Sequence, residues 1–142
     1  MKILVVNGPN LNMLGKRDPE QYGEKDYNDL LRLIGDYALK TGNQVEVFQS
    51  NHEGAIIDRL QDACSDGTEG VIINPGAYTH YSYAIHDALE ILKVKKIEVH
   101  ISDINNRESF RAVSVTAPAC DAQIVGEGFD GYIHAMKLIL EG

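Results

Sequence analysis

The chain has 142 residues, of which 44% are hydrophobic and 24% charged, a balance typical of a globular protein rather than a disordered or membrane protein. This length is typical of one domain, which we expect to span residues 1–142. The formal net charge of -8 excludes a general affinity for nucleic acid or anionic lipid, so any positively charged site must be local.

Short β-branched segments alternate along the chain with segments whose apolar residues recur at helical spacing. Strands are predicted at residues 3–6, 45–48, 71–73, 97–99 and, more weakly, 123–125. Helical stripes are predicted at residues 30–38, 56–63, 84–92 and 133–139, the last of them formed by Ile133, Met136, Leu138 and Ile139. Because strands and helices alternate, right-handed crossovers favour an α/β fold with a flavodoxin-like, five-stranded, parallel, doubly wound sheet.

Two segments are too long to be simple turns, residues 10–25 and 101–120. Loops longer than about 12–15 residues are usually functional. Gly15 and Gly23 lie on either side of a proline in the first segment, which suits a lid that closes over a site. Tyr22 in this segment is either a packing anchor or a base. A base would have to ionise near neutrality, far below its free pKa of about 10, and this costs about 4 kcal/mol.

The arginines are concentrated on these two segments, which carry three of the five, Arg17, Arg107 and Arg111. One exposed arginine stabilises a tyrosinate by only about 0–1 kcal/mol, but several in a closed site supply more. The placement favours an anionic substrate whose carboxylate binds to a guanidinium. The alternative is that these arginines are solvated at the surface.

Polar residues follow each of the first four predicted strands. They occupy residues 7–10, 51–53, 74–80 and 100–102. In open α/β sheets, ligands bind outside the carboxyl ends of the strands. Any one of these loops taken alone could serve only as a turn or a helix cap. Four of them at one edge favour a binding site for a polar metabolite.

Glu98 and His100 are two residues apart on the fourth predicted strand and should point to the same face. A carboxylate beside an imidazole fixes its tautomer and raises its basicity, as an acid or base requires. His100 could instead be a buried structural histidine or a metal ligand. The five histidines form no H-x-x-x-H or H-x-H pattern, so we predict no metal site.

A G-x-G-x-x-G pattern occupies residues 126–131. Only eleven residues follow it, too few for the complete βαβ unit that a dinucleotide site requires. We interpret these glycines as a strand-to-helix turn and predict no cofactor. Cys64 and Cys120 form no C-x-x-C pair, and no leader or membrane span is recognisable, so we expect a cytoplasmic protein.

Five blocks of sequence, in order over essentially the whole chain, resemble the type II 3-dehydroquinate dehydratases, the type II dehydroquinases of the shikimate pathway. The blocks are NGPNL with LGKRDPEQYG (residues 7–11 and 14–23), QSNHEG (49–54), NPGAYTH (74–80), EVHIS (98–102) and RESFR (107–111). The resemblance implies a hydro-lyase that removes water from 3-dehydroquinate by anti elimination through an enolate, reversibly giving 3-dehydroshikimate. It implies no metal, Schiff base or cofactor. Aromatic amino-acid biosynthesis is the implied role, and quinate catabolism by the same reaction is the alternative.

By this resemblance, proton transfer is divided between two residues. Tyr22 would remove the proton next to the ketone, and His100, oriented by Glu98, would protonate the departing hydroxyl. Arg17 and Arg107 would keep the tyrosine ionised. Asn10 would hold a water against the enolate oxygen.

The resemblance also implies the substrate contacts and an assembly. The substrate's hydroxyls and carboxylate would be bound by Asn74, His80, the backbone at Ile101, Ser102 and Arg111. Asp87 would enter from a neighbouring subunit, because the family forms trimers gathered into a dodecamer.

The chain departs from the family's usual pattern at His86, where arginine is common. Residues 114–120 follow one of the family's variants, for which no catalytic consequence is implied. Two other classes remain open from the residues alone. A non-catalytic flavodoxin-like module would bind a ligand without turnover, and a metal-assisted hydrolase would use His100 and Glu98 as ligands and lose activity to a chelator.

Overall fold

A five-stranded parallel sheet forms the centre of the structure, a computed structural model that describes residues 1–16, 20 and 25–142. The strands β1 to β5 span Lys2–Asn7, Gln44–Gln49, Gly70–Asn74, Lys95–His100 and Ala122–Val125. Their order across the sheet is β2-β1-β3-β4-β5, and every neighbouring pair is parallel. All five predicted strands and the predicted doubly wound fold are confirmed.

Four α-helices connect or follow these strands in the described part of the chain, together with five short 3-10 helices. The α-helices α1 to α4 span Tyr27–Lys40, Glu53–Asp62, Tyr83–Ile91 and Asp130–Glu141. The 3-10 helices span Leu11–Met13, Gly76–His80, Ile104–Asn106, Ser109–Ala112 and Ala117–Ala119. The long segment 101–120 therefore holds three short helical turns. Among the described helices, none has the length and apolar character needed to cross a membrane.

Local capping explains where two of the helices begin. At α1, the Asp26 side chain accepts from the Asp29 backbone at 2.9 Å, and the Asp29 side chain accepts from the Asp26 backbone at 3.0 Å. The Ser82 hydroxyl accepts from the backbone of Ile85 at 3.1 Å and caps α3 in the same way. Each contact satisfies a backbone N–H that the first turn of a helix leaves unpaired.

Helices cover both faces of the sheet and form two separate hydrophobic cores. One core packs α1 and α4 against the sheet, and the other packs α2 and α3. Ile133 and Leu138 were predicted to face the core from α4, but they are only partly buried. The buried line of α4 is instead Tyr132, Ala135, Met136 and Ile139, the i, i+3, i+4, i+7 set that starts one residue earlier. Met136 and Ile139 are buried as predicted, whereas Tyr132 and Ala135 were not in the predicted stripe.

Strand β4, which lies between β3 and the edge strand β5, carries polar side chains on one buried face, at Lys96, Glu98 and His100. The Lys96 ammonium donates to the carbonyls of Leu89 and Leu92 at 2.8 and 2.7 Å, at the carboxyl end of α3. A cation at that position satisfies carbonyls that the last helical turn leaves free. The sheet therefore tolerates a buried lysine on the same face as Glu98 and His100.

Gly8 brings the loop after β1 against the loop after β3, where the strand order of the sheet reverses. Its backbone N–H donates to the carbonyl of Asn74 at 2.8 Å. A Cβ atom on Gly8 would lie 2.4 Å from the carbonyl oxygen of Pro75, closer than real Cβ contacts allow. Only glycine permits this approach, so Gly8 determines how closely the two loops meet.

We expect Gly8→Ala to lower the free energy of unfolding by about 1–3 kcal/mol, because the backbone must shift to accept the methyl group. Gly35→Ala on α1 is the matched control. A Cβ there meets nothing within 4 Å, so the substitution should raise the free energy of unfolding by about 0.5–1 kcal/mol. Urea unfolding followed by circular dichroism measures both. Wild-type stability in Gly8→Ala would contradict the proposed steric constraint.

Candidate active site

A pocket of about 120 Å³ lies at the carboxyl edge of the sheet, beside the ends of β1, β3 and β4. It is lined by Pro9, Asn10, Leu11, Asn74, Gly76, Ala77, His80, Ile101, Ile104, Arg107 and Arg111. Six of the residues predicted for the site from sequence are in this lining: Asn10, Asn74, His80, Ile101, Arg107 and Arg111. The start of each long segment, at Asn10 and at Ile101, therefore lies at the carboxyl edge, where ligands bind in open α/β sheets.

Six other predicted residues are not part of this described lining, among them Glu98 and His100 of β4. Arg17 and Tyr22 lie outside the described residues. Asp87 is exposed on α3 and is not part of the described pocket lining of its own chain. Ser102 is buried just behind the pocket, where Nη1 of Arg107 lies 3.4 Å from its hydroxyl.

Glu98 and His100 form a buried hydrogen-bonded pair, as their spacing on the strand predicted. Nε2 of His100 lies 2.9 Å from Oε2 of Glu98, and the two residues are 5% and 0% exposed. An ionised carboxylate can only accept, so Nε2 carries the proton of this contact. Nδ1 is then the ring atom that is free of Glu98 and available for proton transfer.

Four side chains donate to the buried carboxylate of Glu98. Besides His100, Ser114 and Gln123 donate to Oε2 at 2.8 Å each, and Thr116 donates to Oε1. Burial alone would raise the pKa of Glu98, but the hydrogen bond and charge of His100, with the bonds from Thr116 and Gln123, hold it below its usual value. The carboxylate therefore stays ionised although it is out of contact with water.

Ser114 and Thr116 belong to residues 114–120, for which no catalytic consequence was expected. The structure adds contacts that the sequence did not predict, because these hydroxyls supply two of the donors to Glu98. The Thr79 hydroxyl lies 2.7 Å from each of them and ties the loop after β3 to the same cluster. The only sequence signal was the polar alternation Ser-Val-Thr. It could not reveal the partner, because Glu98 is 16 and 18 residues away along the chain.

Asn10 has a backbone φ of 69°, the one positive φ at a non-glycine residue in the described ranges. Its backbone N–H donates to Oδ1 of Asn51 at 3.0 Å. The Gln49 side chain donates to the same oxygen at 3.3 Å and to the carbonyl of Gly8 at 3.1 Å. Left-handed backbone costs about 1–2 kcal/mol in such a residue, so the contacts from the loop after β2 hold Asn10 in a strained position at the pocket.

His80 and Asn74 reach the pocket from the end of β3 and the turn after it. Nδ1 of His80 lies 2.7 Å from the carbonyl of Val113 and must donate to it, which leaves Nε2 for a ligand. The Asn74 amide oxygen accepts from the backbone of Gly76 at 3.1 Å, and its nitrogen donates to the Tyr132 hydroxyl at 3.1 Å. Both polar side chains are therefore held in one orientation.

Two arginines give this edge a local positive charge in an acidic chain. Arg107 and Arg111 line the pocket. Nε of Arg111 donates to Glu108, which lowers the pKa of that carboxyl, and its guanidinium lies 4.8 Å from the centre of the Phe110 ring. Guanidinium groups held in this way suit a carboxylate ligand.

His86, Asp87 and Glu90 form a small surface group whose ligand atoms lie within 4.8 Å of one another. Nδ1 of His86 is 2.7 Å from the carbonyl of Val115, and its Nε2 is 3.3 Å from Oε1 of Glu90. Both ring nitrogens of His86 therefore lie close to protein oxygens, of Val115 at Nδ1 and of Glu90 at Nε2.

The glycine pattern at residues 126–131 is a turn, as its position predicted. Gly126 and Gly128 have φ values of 74° and 62°, which favour glycine. The Gly126 N–H donates to the carbonyls of His100 and Ser102 at 3.2 Å each. This turn therefore supports the backbone that carries His100 and Ser102.

Comparison with known proteins places the whole chain in one group. The family described as Dehydroquinase class II matches residues 1–140. The chain is 63% identical over 139 residues to a 3-dehydroquinate dehydratase from Thermotoga neapolitana, covering 98% of this chain and 94% of that protein. It is 59% identical to one from Lachnoclostridium phytofermentans, with 99% and 97% covered. The crystal structure of type II dehydroquinase from Butyrivibrio crossotus matches with a TM-score of 0.97 at 57% identity, covering 99% of this chain and 97% of that one.

Replacing Glu98 by glutamine should lower the free energy of unfolding at neutral pH by about 3 kcal/mol. The amide nitrogen of glutamine is itself a donor, and it would face donors that have lost their carboxylate acceptor. Folding lowers the pKa of Glu98, so its carboxylate stabilises the folded chain above the ordinary value of 4.5 and loses this effect as the pH falls below it. The difference between Glu98→Gln and wild type should therefore shrink in acid, as measured by urea unfolding between about pH 7 and about pH 3.

The matched control is Glu127→Gln, which alters the exposed pair of Glu127 and His134, whose atoms lie 3.0 Å apart. An exposed pair contributes about 0–1 kcal/mol, so this variant should stay close to wild type throughout. A difference between Glu98→Gln and wild type that is constant over the pH range would contradict the ionised, donor-held carboxylate.

Proposed function

The chain belongs to the class II dehydroquinases, and from this membership we propose how its carboxyl-edge pocket removes water from 3-dehydroquinate to give 3-dehydroshikimate. The protein is a hydro-lyase, and the shikimate pathway towards aromatic amino acids is its role; quinate catabolism is not favoured. The observation that carries the proposed mechanism is the buried pair of Glu98 and His100, which directly precedes Ile101 in the lining of a pocket with two arginines.

The reaction begins with loss of a proton from the carbon next to the ketone. Tyr22 is the proposed base, and Arg17 and Arg107 are the proposed cations that keep it ionised. Ionising a free tyrosine near neutrality costs about 4 kcal/mol, which two guanidiniums in a closed, poorly solvated site can offset. The position of Arg107 in the pocket lining supports its part in this step.

The negative charge then develops on the enolate oxygen. Asn10 is the proposed residue here, holding a water against that oxygen. Its strained, externally fixed backbone supports the proposal, because such strain persists where the surroundings impose it and is common at active sites. A donor positioned beforehand needs no reorganisation as the charge appears.

The hydroxyl leaves as water once His100 protonates it. Nδ1 of the doubly protonated ring gives its proton to the leaving oxygen as the carbon–oxygen bond breaks and the enolate electrons form the new double bond. The neutral ring that remains keeps its proton on Nε2, and that is the tautomer that the contact with Glu98 stabilises. Glu98 thus orients the acid and favours the state in which it can donate.

The remaining polar residues predicted for the site are proposed to bind the substrate. Arg111 binds the carboxylate, and Asn74, His80, Ser102 and the backbone at Ile101 bind the hydroxyls. The fixed orientation of the Asn74 amide and the free Nε2 of His80 support this assignment. Polar groups that are held in place before binding lose little entropy on association.

We also propose that the chain forms trimers gathered into a dodecamer, with Asp87 entering a neighbouring subunit's pocket. Tyr83, Asp87 and Ile91 are spaced four residues apart on α3 and share one face. Tyr83 and Ile91 are 68% and 57% exposed, and large apolar side chains left exposed together mark an interaction surface. We propose further that residues 1–142 form a single domain and that the protein is cytoplasmic.

We expect purified protein incubated with 3-dehydroquinate to form a conjugated enone, detected by ultraviolet absorbance. Tyr22→Phe and His100→Ala should each fold and assemble normally but lose about 10²- to 10⁴-fold in kcat, because each removes one proton transfer. Chelator treatment should leave the rate unchanged, whereas a metal-assisted hydrolase would lose activity.

The controls replace a tyrosine and a histidine outside the pocket. Tyr37→Phe alters a half-buried tyrosine that packs against the core, and His134→Ala alters the exposed His–Glu pair. Both should keep wild-type kcat. No enone at high concentrations of wild-type enzyme would refute the reaction, and a near-normal kcat for Tyr22→Phe would refute the tyrosinate base.

Mixed oligomers should show whether Asp87 acts across a subunit contact. Asp87→Ala and His100→Ala chains should each have little activity alone. Co-expressed at equal amounts, they should restore about a quarter of the sites, since a pocket with His100 can receive Asp87 from a neighbour. If Asp87 acted within its own chain, no mixed site would be complete and the activity would stay low.

A further inference from the structure

A line of buried and partly buried hydrogen bonds connects α1 to β3. The Asn7 amide nitrogen donates to the Tyr27 hydroxyl at 3.2 Å. The Tyr132 hydroxyl donates to Oδ1 of Asn7 at 2.6 Å and accepts from Nδ2 of Asn74 at 3.1 Å. Asn7 and Tyr132 are 0% exposed, and Asn74 is 3% exposed. Of these four residues, only Asn74 lines the described pocket.

The direction of each bond in this line follows from the groups present. Oδ1 of Asn7 is an acceptor only, so the single hydroxyl proton of Tyr132 goes to Asn7 and its oxygen can accept from Asn74. Burial raises the pKa of the Tyr132 phenol, so it keeps its proton throughout the working range. The Asn74 amide is fixed from both sides, by Tyr132 at its nitrogen and by the Gly76 N–H at its oxygen.

We propose that Tyr132 is a positioning residue for the dehydration. It holds the Asn74 amide so that the second N–H of that amide and the remaining lone pair of its oxygen face the substrate. The inference deepens the proposed function and rests on it, because it requires that Asn74 binds a substrate hydroxyl. Tyr132 does not touch the substrate and acts only through Asn74. No other described side chain accepts from Nδ2 of Asn74.

Removing the Tyr132 hydroxyl should leave Nδ2 of Asn74 and Oδ1 of Asn7 without partners. An unpaired buried amide gains by turning towards any other acceptor or towards water in the pocket. The substrate would then meet an amide in a mixture of orientations. Binding would weaken although every pocket-lining side chain is still present.

The test is a double-mutant cycle on Tyr132 and Asn74, read as kcat/KM for 3-dehydroquinate. Tyr132→Phe should lower kcat/KM about tenfold, which corresponds to the loss of one oriented hydrogen bond. In the Asn74→Ala background, the same Tyr132→Phe change should have no further effect. Tyr37→Phe, a tyrosine packed on the same core, is the matched control and should keep wild-type kcat/KM.

Three results would overturn the inference. In each of them the wild type still forms the enone, so the proposed reaction itself stands. They are a wild-type kcat/KM for Tyr132→Phe, an equal loss in both backgrounds, and a wild-type kcat/KM for Asn74→Ala. A general structural role predicts the equal loss, since the effect would not pass through Asn74. If the wild type does not form the enone, the proposed reaction itself has failed.

A second variant tests the same contact if Tyr132→Phe does not fold. Asn7→Leu/Tyr132→Phe removes the donor and its acceptor together, and replacing both partners by apolar groups costs far less than orphaning one. It still leaves Asn74 without its partner, so it should show the same loss of kcat/KM as predicted for Tyr132→Phe. Wild-type kcat/KM in this folded variant would overturn the inference.

Discussion

The site depends on one buried carboxylate that must remain ionised. An unpaired carboxylate at the position of Glu98 would cost several kcal/mol or take up a proton. Donors from three parts of the chain prevent this: His100 on the same strand, Gln123 on β5, and Ser114 and Thr116 on the long segment after β4. The same bonds that keep Glu98 ionised attach that segment to the sheet, and its earlier part carries Arg107 and Arg111 into the pocket.

Local charge explains how an acidic protein can bind an anion. The chain has a net charge of -8, yet Arg107 and Arg111 lie together at the carboxyl edge. Charges of opposite sign interact most strongly where water is excluded, so a closed pocket matters more for the substrate than the charge of the whole surface. Neighbouring groups also hold Asn10, Asn74 and His80, so most of the polar groups at this edge are oriented before a ligand arrives.

The sequence predicted features that depend on residues close together in the chain. It missed contacts between residues that are far apart in the chain and meet only in the folded structure. The alternation of strands and helices predicts the sheet and the carboxyl edge at which the pocket lies. The two-residue spacing of Glu98 and His100 predicts their contact directly. Ser114, Thr116 and Gln123 were missed because they meet Glu98 only through tertiary structure, from 16 to 25 residues away. Tyr132 was missed because its role depends on Asn7 and Asn74, which lie 125 and 58 residues away along the chain.

The ionisation of Glu98 can be measured directly by ¹³C NMR of its carboxyl carbon, assigned from its absence in the spectrum of Glu98→Gln. If hydrogen bonds from His100, Thr116 and Gln123 outweigh burial, the titration midpoint in the folded protein will lie below the ordinary value of 4.5. A midpoint at or above 4.5 would show that burial prevails. The donors around Glu98 would then not be what keeps its buried carboxylate ionised.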